Sequence, residues 1–231
     1  ITFSFIYSIY NKIIRILLYP FISAMQKKKT DLKKLRVNYK LNHLVYNDLC
    51  NNPVDQFNIW LEDAIKCGIK DANAMILSTY DSQYGISSRV VLLKDIIDGE
   101  FVFFTNYNSL KGKQIKENKN IALCFFWNNM ERQIRIKGVV KKISKKISNS
   151  YFNERPKLSK IAAIISNQSS YIDVNEKLEN KILKFDESNI KRPDNWGGYS
   201  INPYYFEFWQ GRENRLHDRF IYEHKRSNWL I

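Results

Sequence analysis

The feature that most constrains the fold is a series of short runs rich in aromatic and β-branched residues, separated by turn residues. Such runs favour β-strands, because branched and aromatic side chains pack well on a pleated surface. In ERQIRIKGVVKKI, Ile134 and Ile136 alternate with polar residues, as in a strand with one buried face. The predicted strands cover 74–80, 87–94, 100–106, 121–127, 131–143, 196–201, 204–211 and 215–223. We therefore predict an antiparallel barrel that begins as a β-meander.

Helix signals stand between these runs. Asn52 and Pro53 supply an N-cap and a first turn, and apolar residues at helical spacing follow until Gly68. Ser109 is a candidate cap for a second helix. The predicted helices cover 53–67, 109–118 and 144–188, the last with a break at Pro156 and a polar joint at 167–170. The predicted fold class is mainly β with α, a barrel with packed helices.

The N-terminal region differs from the rest of the chain. Residues 1–24 are rich in apolar residues, interrupted by Lys12 and Arg15, and fit three interpretations: a targeting segment, a membrane anchor, or translated sequence upstream of a start at Met25. Residues 25–52 are basic and polar, which predicts a mobile arm able to act as a lid. Residues 53–231 form the predicted main domain.

Charge and cysteine usage restrict the function classes. The chain has 37 basic and 23 acidic residues, a formal net charge of +14. This charge suits a nucleic-acid binder, an anionic membrane surface or an enzyme with phosphorylated ligands, but the lysines are scattered, which favours a general compositional bias. The three cysteines form no CxxC pair, which predicts a reducing compartment and a cytoplasmic location.

Several chemistries lack their sequence patterns. The three histidines have no metal-site spacing, so no metal is predicted, and no Ser/His/Asp or Cys/His pairing is visible. Glycine-rich phosphate loops of the GxGxxG or GxxxxGK[ST] type are also missing from the sequence. Hydrolase, metalloenzyme and Rossmann or P-loop nucleotide-binding functions are therefore disfavoured.

One candidate anion site lies near the C-terminus. In an extended strand, Arg215, His217 and Arg219 would point to the same face, beside the aromatic run EFWQG. Guanidinium groups flanking an imidazole, next to a flat apolar surface, suit an anionic aromatic ligand. The alternative is a solvated strand face on which Asp218 pairs with a neighbouring cation.

A second candidate set is Tyr151, Arg155 and Ser159. Tyr151 and Arg155 are four residues apart and so share a helix face, and Ser159 is free to cap the next helix after Pro156. Hydroxyl and guanidinium groups are good phosphate donors. The alternative is ordinary packing by Tyr151 with Arg155 as a surface charge.

A third set combines strand ends with a helix start. Arg89 and Lys94 bracket the apolar run VVLL, which is also the common pattern of a buried strand leaving the core. Lys111 and Lys113 lie in the first turns of the helix behind Ser109, where free N–H groups and the helix dipole attract phosphate. The alternative is a solvated, lysine-rich helix. Together the sets predict a phosphorylated cofactor and a phosphorylated substrate.

The order of the motifs is also informative. From about Leu35 to Trp229 the chain contains RVVLLK, FFTN with SLKGKQ, ERQIRIKG, YFNERPKLS, SNQSS, WGGY, EFWQG and NRLHDR. In sequence and spacing it resembles the pyridoxamine (pyridoxine) 5'-phosphate oxidase family, and the pair EFWQG and NRLHDR is the most diagnostic. The resemblance implies an FMN-binding split β-barrel and a homodimer with FMN at the subunit interface. Each site would then draw residues from both chains.

The resemblance also assigns site residues. The implied FMN contacts are Arg89, Val90, Val91, Leu92, Phe104, Thr105, Lys111, Gln133, Gln168, Ser169, Trp196 and Arg219. The implied substrate contacts are Lys94, Tyr151, Arg155, Ser159, Arg215, His217 and, from the arm, Arg36 and Tyr39. Arg215 and His217 would be catalytic, because they would position the pyridine ring and help with proton movement.

The implied reaction belongs to vitamin B6 metabolism. An oxidoreductase of this family would take a hydride from C4' of pyridoxamine or pyridoxine 5'-phosphate to flavin N5 and form pyridoxal 5'-phosphate. Oxygen would be the acceptor, giving hydrogen peroxide, with ammonia released from the amine substrate. The chain departs from the pattern at Leu110, where the family usually has arginine, and it stops at Ile231, short of the usual arginine-containing tail. The first departure predicts weaker FMN binding, and the second predicts a looser dimer or site.

Two other functions fit parts of the sequence. The first is a different split-barrel flavoprotein, but this function would not explain why the chain has the Tyr151, Arg155 and Ser159 set and Arg215 with His217. A basic barrel that stacks nucleic-acid bases would cluster its basic residues along one groove, and their scatter disfavours it. The sequence therefore predicts small-molecule ligands and a second copy of the chain as partners, and disfavours nucleic acid or a membrane.

Overall fold

The computed structural model describes residues 31–171, 178–226 and 228–231. The chain divides into two units, Ile1–Asn38 and Tyr39–Ile231. In the first unit, a 3₁₀ helix at Leu32–Lys34 is capped by Asp31, whose carboxylate accepts a hydrogen bond from the Lys33 amide at 3.2 Å. The apolar segment 1–24, with its three interpretations, lies outside the described residues.

The second unit is built on one antiparallel sheet, which has nine strands in the described part of the chain. The strands are β1 (Ala74–Asp81), β2 (Gly85–Leu92), β3 (Asp95–Ile97), β4 (Glu100–Asn106), β5 (Asn120–Trp127), β6 (Arg132–Lys142), β7 (Trp196–Gln210), β8 (Asp218–Lys225) and β9 (Asn228–Leu230). Their order is β2-β1-β5-β6-β7-β4-β3, with β8 on β7 and β9 on β8. The sheet ends β2 and β3 are consecutive along the chain, and the hydrogen bond from the Lys94 amide to the Val102 carbonyl, at 2.8 Å, extends the β3–β4 hairpin.

Strand β7 replaces two predicted strands. The sequence predicts separate strands at 196–201 and 204–211, whereas Trp196–Gln210 is continuous and pairs with β4, β6 and β8. The register with β6 shifts between Lys137 and Gly138, opposite Pro203 and Tyr205. A bulge accommodates proline, which has no N–H to donate to the ladder. The apparent break is therefore a bulge within one strand.

The helices follow the predicted segments. They are α1 (Pro53–Lys66), α2 (Leu110–Glu117), α3 (Lys145–Glu154), α4 (Lys157–Ile165) and α5 (Leu178–Leu183), with 3₁₀ turns at Tyr46–Asp48, Asn128–Met130, Glu187–Asn189 and Glu213–Arg215. Asn52 caps α1, since its side chain accepts from the Val54 amide at 2.9 Å. Ser109 caps α2 and accepts from the Gly112 amide at 3.4 Å. Both predicted caps are confirmed.

Aromatic rings fill the core between α1 and the sheet. Phe57 is completely buried, and its ring packs edge-on against Phe101 and Phe125, each at a centroid distance of 4.9 Å. Trp60, one turn further along α1, meets Phe208 of β7 at 5.2 Å. Edge-to-face pairs of this kind add to the stabilisation from burial. The core therefore holds α1 against strands from both halves of the sheet.

Residues 39–52, the second half of the predicted arm, belong to the second unit. Leu44 is buried in the core at 6% exposure, and its amide donates to the Asp218 carboxylate at 2.9 Å. The Leu41 amide donates to the Glu131 carboxylate at 3.0 Å. Two carboxylates therefore attach this segment to the barrel, and the mobility of the arm stays a prediction.

Two further findings bear on location. Cys50, Cys67 and Cys124 are free thiols. Within the described ranges, the helices are too short or too polar for any of them to cross a bilayer. The cytoplasmic location stays a prediction.

Candidate functional site

The main cavity lies beside β2 and β4 and has a volume of about 960 Å³. Helices α2, α3 and α4 and the first residue of β7 also contribute to its wall. It brings together residues that are far apart in sequence and were predicted to bind FMN or substrate. They are Arg89, Val90, Val91, Leu92, Lys94, Phe104, Thr105, Lys111, Tyr151, Arg155, Ser159, Gln168, Ser169 and Trp196.

Arg89 and Lys111 form the first cationic set of the cavity. One guanidinium nitrogen of Arg89 donates to the Leu77 carbonyl, the Thr79 hydroxyl and the Ser87 carbonyl, at 3.1, 2.6 and 3.0 Å. Lys111, in the first turn of α2, is only 7% exposed, and its ammonium lies 3.4 Å from the Ser109 hydroxyl. Lys113, predicted alongside it, is exposed and lies outside the cavity wall.

Burial strongly perturbs these two cations. Burial, with the nearby Arg89 charge as a second cause, lowers the pKa of Lys111 from 10.5 to about 8. Burial also lowers the pKa of Arg89. Among the described residues, neither side chain makes an ion pair with a carboxylate. A buried lysine at a helix N-terminus beside a half-buried arginine, neither with a carboxylate partner in the described chain, suits an anionic ligand such as a phosphate.

Arg155 forms the second cationic set together with Lys94. Its guanidinium carbon lies 4.6 Å from the centre of the Trp196 ring. One terminal nitrogen, Nη1, is buried and has no hydrogen-bond partner within the described residues. Burial lowers the pKa of this side chain, as it raises the pKa of the Tyr151 hydroxyl. A buried, unpaired donor indicates a place for an oxyanion.

A stack of rings adjoins this set. The rings of Phe104, Tyr151 and Trp196 lie nearly parallel to one another. Phe104 is 3.9 Å from Tyr151 and 5.6 Å from Trp196 between ring centroids, and the planes of Tyr151 and Trp196, 6.3 Å apart, differ by 5°. The rings come from β4, α3 and β7. The stack gives the cavity a flat apolar wall next to its positive charge.

Two local predictions about this set are wrong. Arg155 does not share a helix face with Tyr151, because α3 ends at Glu154 and Arg155 is extended (φ −67°, ψ 148°). Ser159 is not a cap, because α4 begins at Lys157 directly after Pro156 and contains Ser159 in its first turn. Pro156 itself is not helical (φ −53°, ψ 143°) and occupies the cap position that was predicted for Ser159. Both side chains nevertheless line the cavity.

The remaining predicted residues of the second unit, except Arg215, surround Trp209. We call Tyr39, Trp209, His217 and their neighbours Gln133 and Arg219 the Trp209 cluster. The rings of Tyr39 and His217 lie 5.8 and 4.6 Å from that of Trp209. Trp209 pairs in register with Gln133 on one side and Arg219 on the other. None of the five lines the main cavity.

The prediction that Arg215, His217 and Arg219 share a strand face is wrong. Strand β8 begins at Asp218, and Arg215 ends a 3₁₀ turn in which Asn214 and Arg215 have φ values of 54° and 63°. Two successive left-handed residues reverse the chain before the strand starts. Arg215 is exposed in this loop. Arg36 lies in the first unit and is also exposed there.

Asp218 and Glu207 fix the neighbouring arginines. The Asp218 carboxylate accepts from Arg212 at 2.9 Å, which is the pairing expected in the alternative interpretation of this segment. Glu207 is 4% exposed and accepts from Arg219, Arg135 and the Tyr205 hydroxyl at 3.0, 3.2 and 3.0 Å. A buried carboxylate with several donors holds them in defined positions.

Trp209 is the residue that the site predictions missed. The sequence identified it only as part of an aromatic run. Its position in the sheet could have identified it, because alternation along paired strands places it between Gln133 and Arg219, both of which were predicted to bind FMN.

Gly211, two residues after Trp209, lies where an added Cβ atom would be 2.8 Å from Cγ of Tyr39 and 2.9 Å from Cβ of Glu131. The close approach of Tyr39 therefore requires glycine at 211.

The lowered pKa of Lys111 predicts a pH dependence of phosphate-ligand binding. Below its pKa of about 8 the ammonium is charged before the anion arrives. Above it, binding must take up a proton, so affinity for FMN is expected to fall by up to about tenfold per pH unit. Flavin fluorescence titrations from pH 7 to 10 would measure this. A dissociation constant that stays flat to pH 10 would contradict it.

The fold matches that of known split-barrel proteins. PhzG from Burkholderia lata 383, solved in complex with tetrahydrophenazine-1-carboxylic acid, superimposes with a TM-score of 0.75 at 24% identity, over 84% of this chain and 97% of that chain. A pyridoxamine 5'-phosphate oxidase-related, FMN binding protein from Nostoc punctiforme PCC 73102 gives a TM-score of 0.66 at 14% identity, over 79% and 97%. The predicted class, a split β-barrel with packed helices, is confirmed.

Sequence comparison identifies the family to which the chain belongs. Residues 61–185 match the family described as pyridoxamine 5'-phosphate oxidase, and 196–231 match the pyridoxine 5'-phosphate oxidase C-terminal dimerisation region. Proteins named pyridoxine/pyridoxamine 5'-phosphate oxidase are 46% identical in Leptospira biflexa, over 87% of this chain and 96% of that protein, and 45% identical in Vibrio cholerae, over 87% and 97%. The chain belongs to the pyridoxamine 5'-phosphate oxidase family.

Proposed function

We propose that this chain is an FMN-dependent oxidase that converts pyridoxamine 5'-phosphate and pyridoxine 5'-phosphate to pyridoxal 5'-phosphate. Oxygen is the acceptor and yields hydrogen peroxide, and the amine substrate releases ammonia. The observation that carries the proposal is a cavity lined by two cationic sets that have no carboxylate partners among the described residues, next to a wall of stacked rings. Such a cavity suits two phosphorylated aromatic ligands.

The donor set of α2 fits the phosphate of FMN. Arg89 and Lys111 supply the charge, and the N-terminal amides of α2 add donors. Thr105 and Gln168, joined by a hydrogen bond of 3.2 Å, offer polar groups to the flavin ring. When bound, FMN supplies the redox chemistry by accepting a hydride from C4' of the substrate and passing the electrons to oxygen.

The second cationic set fits the substrate phosphate. The buried Nη1 of Arg155 would gain the acceptor that it lacks, and Lys94, Tyr151 and Ser159 would add a charge and two hydroxyl donors. Fixing the phosphate restricts the position of C4' without any nucleophilic side chain. We propose that these residues bind the substrate and orient it.

We further propose that the Trp209 cluster completes the site of a second copy of the chain. The chain carries the family's dimerisation region, and the cluster does not line its own cavity. The outward face of strands β2 and β5 carries exposed apolar side chains: Ile86 is 78% exposed, Val90 66% and Phe126 50%. Apolar surface of this kind favours burial against a partner. In a homodimer, Arg215 and His217 of the partner subunit would contact the substrate ring.

Two substrate-binding variants test the shared site. Arg155→Met damages the cavity set and Arg215→Leu damages the loop beside the Trp209 cluster. Mixed dimers of the two, isolated with different affinity tags, are expected to recover activity, because one of their two sites then carries neither substitution. Mixed dimers as inactive as both parents would refute a site shared between subunits.

The visible absorption spectrum of the purified protein tests the reaction itself. Flavin bands that bleach on anaerobic addition of pyridoxamine 5'-phosphate, and return with oxygen, are the expected result. Flavin that stays oxidised would indicate a different split-barrel flavoprotein. Failure to bind added FMN would remove the cofactor assignment.

Replacing Leu110 by arginine is predicted to strengthen FMN binding. It lines the cavity next to Lys111, at the position where the family usually has arginine. Leu110→Arg is expected to tighten FMN binding by about tenfold, because a charge-assisted hydrogen bond contributes about 1.5 kcal/mol or more. Fluorescence titration against Leu110→Met, which adds no charge, measures the effect. An unchanged dissociation constant would show that Arg89 and Lys111 suffice.

A further inference from the structure

The loop between β7 and β8 fixes the imidazole of His217 through the backbone. The Arg212 amide donates a hydrogen bond to Nδ1 of His217 at 3.0 Å. The left-handed residues Asn214 and Arg215 fold the chain back so that His217 reaches this amide. The Arg212 side chain closes the same loop by binding both oxygens of Asp218, at 3.1 and 2.9 Å.

The ring is also held by its neighbours. Trp209 lies 4.6 Å from the imidazole centroid at an interplanar angle of 50°, and Tyr39 lies at 5.8 Å and 58°. His217 is partly exposed, and Nε2 makes no hydrogen bond to any residue that the structure describes. Backbone and aromatic contacts thus restrain one side of the imidazole and leave the Nε2 edge available.

A neutral imidazole carries one proton, and the nitrogen that accepts a hydrogen bond is the one without it. Nδ1 accepts from Arg212, so the proton resides on Nε2. The opposite tautomer would point two N–H groups at each other across 3.0 Å. A base acting through Nε2 needs that opposite tautomer.

We propose that the Arg212 amide fixes His217 as the Nε2–H tautomer, so that His217 serves the reaction as a hydrogen-bond donor to an acceptor atom of the substrate ring and not as a base. The proposal rests on the proposed oxidase function for its substrate. Arg212 is in this sense a positioning residue that acts through its main chain. Its contribution is independent of its side chain, which is occupied by Asp218.

Two amide substitutions separate the donor role from the loop contact. The amide of His217→Gln occupies the place of Nε2 and keeps a donor there. The amide of His217→Asn occupies the place of Nδ1, so it keeps an acceptor for Arg212 but has no group at Nε2. Gln is expected to retain kcat/KM within about tenfold and Asn to lose about 100-fold or more, since only Asn removes the substrate hydrogen bond. Equal losses, or a more active Asn variant, would overturn the donor role.

A ¹⁵N-detected ring spectrum tests the tautomer without any turnover. The FMN-loaded protein, labelled at its three histidines, is recorded at a pH where the ring is neutral, and His217→Gln assigns the signal. A protonated Nε2 with an unprotonated Nδ1 is expected. A protonated Nδ1 overturns the proposal even if the enzyme is active. Conversely, a flavin that is not reduced by the substrate would reject the proposed function and leave the tautomer result standing.

Discussion

Lys111→Met is expected to weaken FMN binding by about 100-fold and, at pH 7, to raise the melting temperature of the FMN-free protein. Both effects come from the same buried ammonium, whose pKa is lowered to about 8 by burial and then by Arg89. The charge binds the phosphate when FMN is present. Without FMN it stays desolvated and has no carboxylate partner in the part of the chain that the structure describes, which destabilises the fold.

The sign of the stability effect follows from proton linkage. The folded FMN-free chain releases the Lys111 proton at about pH 8, whereas the unfolded chain keeps it to about 10.5. Stability of the wild type is therefore expected to rise with pH between these values, and this rise should vanish in Lys111→Met. Fluorescence titration and thermal unfolding measure the two effects. Lys113→Met, an exposed change in the same helix, is the matched control and should alter neither.

Arg155→Met is expected to raise the KM for pyridoxamine 5'-phosphate by about 100-fold or more, with FMN content unchanged. Methionine preserves apolar contact with Trp196 but removes the buried Nη1 donor that lacks a partner within the described chain. Steady-state kinetics with the flavin absorbance as an internal measure of cofactor content checks both parts.

A matched control separates this effect from general loss of charge. Lys146→Met, on the exposed side of α3, removes one positive charge outside the cavity and should leave KM unchanged. Loss of FMN from the Arg155 variant would contradict the assignment of Arg155 to the substrate. An unchanged KM would remove it from the site.

Local sequence patterns were sufficient for most elements of the fold. The Asn52 and Ser109 caps and the alternation around Ile134 and Ile136 depend on neighbouring residues, and the structure confirms them. The bulge at Pro203 was misjudged as a gap between strands, because proline is depleted from strand interiors and only the pairing register reveals a bulge.

Local sequence patterns predicted the candidate site less well than the fold. The sequence placed Arg215, His217 and Arg219 on one strand, since nothing in the sequence signals left-handed φ at an arginine. The unusual burial of Lys111 also depends on tertiary packing, because lysines at helix starts are commonly solvated. Motif order named residues that line the cavity, but only the folded structure separates them from the Trp209 cluster.

Gly211 limits how this chain can change by mutation. Any side chain there would meet Tyr39 and Glu131, both of which belong to the attachment of residues 39–52. A mutant with alanine at 211 could accommodate the new methyl group only by displacing one of them. The segment around Tyr39, the turn before β6 and the end of β7 are therefore constrained to diverge together. Variation that is tolerated singly elsewhere on the surface would here require compensating changes at two distant points of the gene.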